Sequence, residues 1–181
     1  QAAEKIDLSI DTDPGADDVV ALLFAMASPE ELNIRALTTV AGNVRLDKTS
    51  RNARLAREWA GREDVPVYAG APKPLMRTPI YAENIHGKEG LSGVTVHEPK
   101  KGLAEGNAVN YLIDTLKKAK PHSITIAMLG PQTNLALALK LVSILPVPCN
   151  NLFFLPLDCS PCSSFLLPPS FSSSSSSEGT S

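Results

Sequence analysis

Residues 10–18, IDTDPGADD, place four aspartates around a Pro-Gly turn. Before this segment, apolar Ile6, Leu8 and Ile10 alternate with polar residues, which is the period-two pattern of a β-strand. After it, apolar residues recur over 19–26 with the spacing of an α-helix. The aspartates therefore lie at a strand-to-helix junction. In a parallel α/β sheet such a junction lies at the carboxyl edge of the strand, where ligands bind.

The alternation of strands and helices continues to about residue 140. The patterns predict helices and strands in turn, with the helices over 16–28, 48–60, 107–118 and 135–140 and the further strands over 34–40, 65–70 and 123–129. Ala53, Leu55, Ala56 and Trp59 are available for the buried side of the second helix. Residues 71–99 are rich in Gly and Pro and form a long connection of the kind that is usually functional or mobile. This order predicts an α/β fold with a mostly parallel sheet flanked by helices.

Composition limits the classes of partner. The 181 residues are 43% hydrophobic and 20% charged, which fits one globular domain, and the formal net charge of -2 provides no basic field for nucleic acid. No apolar run is long enough to span a bilayer, so we expect no membrane partner. The chain begins at Gln1, which is compatible with a processed N-terminus, including a removed signal peptide. The body lacks cysteine, which is compatible with a reducing compartment and slightly favours the cytoplasm.

The character of the sequence changes near Lys140. From residue 141 to 177 the only charged residue is Asp158, six prolines interrupt the segment, and serines fill 172–177. We therefore divide the chain into a body, residues 1–140, and a low-complexity, irregular tail, residues 141–181. We expect this tail to be disordered or aberrant, as the product of a reading-frame or splicing change or as an unrelated extension. A Cys-x-x-Cys pair at Cys159 and Cys162 is weak support for a redox or metal site in such a context.

The residue types of the acidic turn predict a divalent cation. Asp13, Asp17 and Asp18 offer hard oxygen ligands beside a glycine, as Ca²⁺ or Mg²⁺ require, and no cysteine or clustered histidine is near to favour zinc. A carboxylate at the metal could also orient a water molecule and take its proton. The alternative is structural: the aspartates would complement the helix dipole or cap the helix.

Two further strand ends are candidates for the same edge of the sheet, one at Gly42-Asn43 and one at Leu129-Gly130. With the acidic turn and a histidine-containing loop they make four motifs, which are DTDPGADD at 11–18, TTVAGN at 38–43, IHG with GL over 85–91, and LGP with TN over 129–134. Together, over about residues 6–140, these motifs resemble the inosine-uridine preferring nucleoside hydrolases. The resemblance implies hydrolysis of the N-glycosidic bond of ribonucleosides, a Rossmann-like α/β fold, a bound Ca²⁺ ion and homo-oligomers.

The resemblance also implies roles in metal binding. Asp13 would be both a calcium ligand and the general base for the attacking water, and Asp18 would be the second carboxylate ligand. The backbone carbonyl of Leu129 would complete this part of the metal shell. Asp11 would be a supporting acid behind these ligands.

The substrate would be held by three further residues. Asp17 would bind a ribose hydroxyl, and Asn43 would help to place both the water and the sugar. His86, in a Gly-flanked loop, would face the nucleobase. His97 and His122 have the simpler interpretation of surface or loop residues, and Asn134 is either a helix-start residue or a site residue.

The resemblance is incomplete. Members of this family continue into a second half that supplies further ribose and calcium contacts, and nothing after Leu141 matches it. We therefore expect a truncated chain with about half of a site, whose activity in this form is uncertain. Two alternatives stay open. One is a truncated relative that binds metal or nucleoside without turnover. The other is a phosphatase of the haloacid-dehalogenase type, suggested by Asp11-Thr12-Asp13 but lacking the expected threonine after it.

Overall fold

The structure is a computed structural model that describes residues 5–120, 123–142 and 153–154. In chain order, these residues form strands and helices with the bounds β1 (Ile6–Thr12), α1 (Ala16–Met26), β2 (Leu32–Thr39), α2 (Leu46–Trp59), β3 (Val67–Ala69), α3 (Glu83–His86), α4 (Ala108–Lys118), β4 (Thr125–Met128), α5 (Thr133–Val142) and β5 (Phe153–Phe154). Among the described helices, none is both long and apolar enough to cross a membrane.

The strands form one sheet in the order β3-β2-β1-β4-β5, and every neighbouring pair is parallel. The acidic strand β1 is therefore at the centre. The predicted α/β fold with a parallel sheet is confirmed. Because β2 and β4 lie on opposite sides of β1, the strand order reverses there, and the carboxyl ends of β1 and β4 mark the place where such sheets form a ligand-binding crevice.

Helices bury both faces of the sheet. One core cluster joins α1 and α2 to β1 and β2 through residues such as Leu22, Leu37 and Leu55. A second cluster joins α4 and α5 to β4 through Leu112 and Ile126, among others. Because successive side chains of a strand point to opposite faces, β4 contributes to both clusters. The sheet therefore lies between two layers of helices.

The structure corrects several details of the sequence predictions. The long connection after β3 contains a single helical turn, α3. Trp59 is not on the buried side of α2 but 40% exposed, because it is the last residue of the helix and projects beyond the core. Beyond residue 140, α5 continues for two residues and β5 adds a strand beside β4. The division of the chain at residue 140 stays a prediction. Elsewhere in 141–181, Asp158, Cys159, Cys162 and the serine run lie outside the described residues, as does His122.

Candidate active site

The turn after β1 brings Asp13 to the crevice between β1 and β4. Its carboxylate is buried, and the backbone N–H of Asn43 donates a hydrogen bond of 2.7 Å to Asp13 Oδ2. The side chain of Asn43 closes the same contact, because Nδ2 donates to the Asp13 carbonyl at 3.1 Å. The end of β2 is thereby joined to the acidic turn, as the positions of the two strand ends predicted.

Two glycines make room for the Asp13 carboxylate. A Cβ atom on Gly42 would lie 2.0 Å from Asp13 Oδ2, and one on Gly130 would lie 2.6 Å from Asp13 Oδ1. The backbone of the loops after β2 and β4 therefore closes around this side chain from both sides. No other residue type fits at these positions without displacing Asp13.

Asp18, in the first turn of α1, lies against Asp13. Thr12 Oγ1 donates to Asp18 Oδ2 at 2.7 Å, and the backbone N–H of Asp13 donates to the same oxygen at 3.2 Å. Burial raises the pKa of both carboxyl groups, and the negative charge of Asp18 raises the pKa of Asp13 further. Two buried carboxylates in contact need a shared proton or a cation between them, and a cation would restore both to the ionised form.

The oxygen donors fit a hard cation. Donors from Asn43 and Thr12 hold Oδ2 of Asp13 and of Asp18, and the backbone of Gly130, directly after Leu129, packs against Asp13. Within the described part of the chain, no three or more His, Cys, Asp or Glu side chains gather as a metal-binding group. Two carboxylates and one carbonyl would therefore supply only part of the six to eight oxygens that Ca²⁺ takes.

Asp11 lies one layer deeper than the other aspartates. It is fully buried, and its Oδ2 accepts hydrogen bonds from Thr38 Oγ1 at 2.6 Å and Asn134 Nδ2 at 2.8 Å. Its Oδ1 has no hydrogen-bond partner in the described structure. Burial raises the pKa of Asp11 to about 7, although both hydrogen bonds act in the opposite direction. This position suits a supporting acid rather than a group that touches substrate.

Asn134 joins three strand ends. Besides Asp11, its Nδ2 donates to the Thr39 carbonyl at 2.9 Å, and its Oδ1 accepts the Ala71 N–H at 2.8 Å. The side chain is fully buried. Asn134 does lie at the start of α5, and its side chain is an internal support that holds the edge of the sheet together. Whether it also acts in the site stays a prediction.

Asp17 and His86 form the open side of the site. The Asp17 side chain is 65% exposed at the start of α1, and its Oδ1 lies 3.9 Å from His86 Nδ1. His86 is the last residue of α3, and its imidazole packs over Gly15, where a Cβ atom would come within 2.5 Å of Nδ1. The long connection thus returns to the acidic turn. All seven residues predicted for the site lie around this one edge of the sheet.

Sequence reasoning missed three polar side chains that support these residues. Thr12 and Thr38 hold Asp18 and Asp11, and Asn52 on α2 donates to the carbonyl of Pro14 in the acidic turn. The threonines lie in strands, where their type is ordinary. Asn52 carried a detectable signal, because it falls on the helical stripe of Ala53 and Ala56, where an apolar residue would be expected.

Comparisons with known proteins show the family of this chain. The model of the family described as inosine-uridine preferring nucleoside hydrolase matches residues 8–153, which extends beyond the end at about residue 140 that the motifs predicted. An uncharacterised protein of Schizosaccharomyces pombe is 51% identical over 130 residues, covering 72% of this chain and 42% of that protein. A pyrimidine-specific ribonucleoside hydrolase, RihA, of Salmonella schwarzengrund is 47% identical over 130 residues, covering 72% of this chain and 41% of RihA.

Solved structures show the same fold. The plant nucleoside hydrolase PpNRh1 superposes with a TM-score of 0.70 at 40% identity, covering 76% of this chain and 43% of that enzyme. A purine-preferring ribonucleoside hydrolase from Gardnerella vaginalis superposes with a TM-score of 0.74 at 28% identity, covering 82% and 48% respectively. The chain spans about two-fifths of the length of the curated relatives it matches.

Proposed function

Because the chain belongs to the family of inosine-uridine preferring nucleoside hydrolases, we propose that it acts on ribonucleosides by hydrolysing the bond between base and ribose. The acidic edge of the sheet would bind the sugar and a Ca²⁺ ion. The observation that carries this proposal is the buried contact between Asp13 and Asp18 at the crevice beside β1. The family match gives no support to the phosphatase alternative.

Calcium would be held by the carboxylates of Asp13 and Asp18 and the carbonyl of Leu129. When bound, the ion supplies a positive charge that grips sugar hydroxyls and acidifies a water molecule. Its place is supported by two observations: the carboxyl groups of Asp13 and Asp18 interact directly, each with Oδ2 held by a donor of the surrounding chain, and burial disfavours two negative charges there without a partner.

Asp13 would accept the proton of the attacking water. Its Oδ2 is held by the Asn43 N–H, so the carboxylate keeps one orientation while Oδ1 faces the crevice side near Gly130. Cleavage of a glycosidic bond passes through a ribose with oxocarbenium character. The carboxylates around it would stabilise that positive charge, since buried and pre-oriented charges act strongly on a transition state.

Substrate binding would use the open side of the site. The exposed Asp17 would accept a hydrogen bond from a ribose hydroxyl, and Asn43 would help to place the sugar and the water. His86 would contact the nucleobase from the loop end above Gly15. Asp11 would support the strand end from behind, because it is wholly buried.

A second candidate is a relative that binds metal or nucleoside without turnover. It is favoured by the small number of ligands, since the described residues supply two carboxylates and no larger metal-binding cluster. The two candidates share one binding site and differ only in whether base is released.

The test measures calcium binding and base release for the 181-residue chain. Calorimetric titration with Ca²⁺ is compared between the wild-type chain, Asp13→Asn, and the control Asp7→Asn at the opposite end of β1. Free base from inosine and uridine is quantified by chromatography with calcium and with a chelator. Calcium-dependent base release that Asp13→Asn abolishes supports the hydrolase. Calcium and nucleoside binding without release supports the second candidate, and the absence of binding and release overturns both.

A further inference from the structure

We propose that Asn52 is a positioning residue that ties the loop carrying His86 to the acidic turn. This inference rests on the proposed function, because it concerns how the nucleobase side of that site is held. Asn52 lies on α2 and is too deeply buried to touch a substrate. Its effect on binding would therefore pass through the two segments that it joins.

One nitrogen of Asn52 contacts both segments. Nδ2 donates to the carbonyl of Pro14 at 3.0 Å and to the carbonyl of Glu89 at 2.9 Å. Pro14 belongs to the acidic turn between Asp13 and Asp17, and Glu89 follows His86 by three residues. An amide has two N–H groups, so one donor group satisfies a carbonyl from each segment at the same time.

The loop is fitted closely to this amide. Gly90 has a φ angle of +78°, and a Cβ atom there would lie 2.8 Å from Asn52 Nδ2, so a side chain would be strained and would also collide. Arg51 holds the same loop from outside, through Nη2 to the Glu89 carbonyl at 3.0 Å and Nη1 to Glu89 Oε2 at 2.6 Å. Its guanidinium also donates to Asn52 Oδ1 at 3.1 Å, which orients the amide.

The other end of the His86 segment is attached to the site as well. The Ala82 N–H donates to the carbonyl of Asn43 at 2.8 Å. Asn43 directly follows Gly42, the glycine that packs on Asp13. His86 itself rests on Gly15. Residues 82–89 are therefore fastened at both ends to segments that hold the aspartates, and Asn52 is the buried attachment at the second end. Loss of this attachment would free the imidazole from its place beside Asp17 while leaving Asp13 and Asp18 in contact.

The consequence is selective. Ribose contacts only the aspartate side of the proposed site, whereas a nucleoside also reaches His86. Asn52→Leu, which keeps the size of the side chain but removes the donor, is expected to weaken nucleoside binding about tenfold, the effect of losing a hydrogen-bonded support. Binding of calcium and of D-ribose should change less, because Asp13 and Asp18 keep their own hydrogen bonds from Asn43 and Thr12 when the donor to Pro14 is lost.

The experiment compares the 181-residue wild-type chain with Asn52→Leu and with the control Asn33→Leu, which removes an exposed amide far from the site. Amide hydrogen exchange is followed by NMR in chelator, where Gly90 N–H should exchange about tenfold faster in Asn52→Leu, the Ala82 N–H serving as internal reference. Dissociation constants for Ca²⁺, D-ribose and inosine are then measured. If inosine is turned over, its KM is compared in place of its dissociation constant.

Faster exchange at Gly90 together with a loss specific to inosine supports the assignment. Unchanged exchange at Gly90, or an equal loss for ribose and inosine, overturns it. If the wild-type chain binds neither calcium nor inosine, the proposed function fails, and the exchange data alone decide whether Asn52 holds the loop. If Asn52→Leu does not fold, Arg51→Met is used instead, because it removes the outer attachment to Glu89. Arg51→Met is expected to weaken inosine binding more than ribose binding, by a smaller factor than Asn52→Leu. Equal losses of inosine and ribose binding in Arg51→Met would also refute the inference.

Discussion

Replacing Asn134 with leucine removes a buried amide that serves three partners. Leucine has nearly the same volume, so the change leaves little cavity but strips hydrogen bonds from the Ala71 N–H, the Thr39 carbonyl and Asp11 Oδ2. Asp11 Oδ2 keeps its hydrogen bond from Thr38 Oγ1, so two buried groups are left without this partner. At about 1–3 kcal/mol for each, we expect Asn134→Leu to lower the free energy of unfolding by about 2–6 kcal/mol. Loss of this size is a large part of the stability of a small domain.

Urea unfolding of the 181-residue chain, followed by far-ultraviolet circular dichroism, measures this loss. Asn110→Leu is the matched control, since Asn110 lies exposed on α4, and a surface change of this kind is expected to alter stability by at most about 0.5 kcal/mol. Thr38→Val, which takes away one of the two donors to Asp11, should cost about 1–2 kcal/mol and remains measurable if Asn134→Leu does not fold. Equal unfolding midpoints for Asn134→Leu and Asn110→Leu would refute the role assigned to the amide.

Four other predictions concern the metal, a buried arginine and a loop contact. Calcium at 100 times its dissociation constant should raise the free energy of unfolding by about 2.7 kcal/mol. Gly42→Ala places a Cβ atom against Asp13 and should weaken calcium affinity about 10–100-fold. The control Gly102→Ala, which has open space around the new methyl group, should leave calcium affinity unchanged. Arg57→Met removes the donors to the carbonyls of Val65, Lys101 and Gly102 and should destabilise the chain by about 2–4 kcal/mol in urea unfolding, while Arg35→Met at an exposed position should not. His97 Nε2 lies 2.6 Å from Glu58 Oε1, and this hydrogen bond is the chief cause of the lowered pKa of Glu58. The pair stabilises the fold above the ordinary pKa of a glutamate, and this stabilisation is lost as the pH falls through the lowered pKa of Glu58. His97→Ala should therefore raise the pKa of Glu58 in a carbon-13 NMR titration, and an unchanged pKa would contradict this account.

Local sequence was sufficient to predict the acidic turn and its surroundings. The alternating residues of β1, the Pro-Gly turn and the helical spacing after Asp18 lie within about twenty residues, and hydrophobic periodicity reports such neighbours directly. The convergence of Asn43 and Leu129 on this turn was also predictable, because carboxyl ends of parallel strands meet at one edge. His97 does lie in a loop, but its contact with Glu58 was not predicted, because it joins positions 39 residues apart and leaves no local pattern.

The sequence by itself thus determined the strand-turn-helix order, the parallel sheet and the carboxylates that stand at its carboxyl edge. Only the tertiary structure decided which oxygen each supporting side chain holds: Asn134 reaches Asp11 across 123 positions, Asn52 reaches Pro14 and Glu89 across 38 and 37, and His86 rests on Gly15. The reason is physical. Periodicity records which face of an element avoids water, whereas a buried amide finds its partners only after packing has excluded water and brought distant carbonyls within reach.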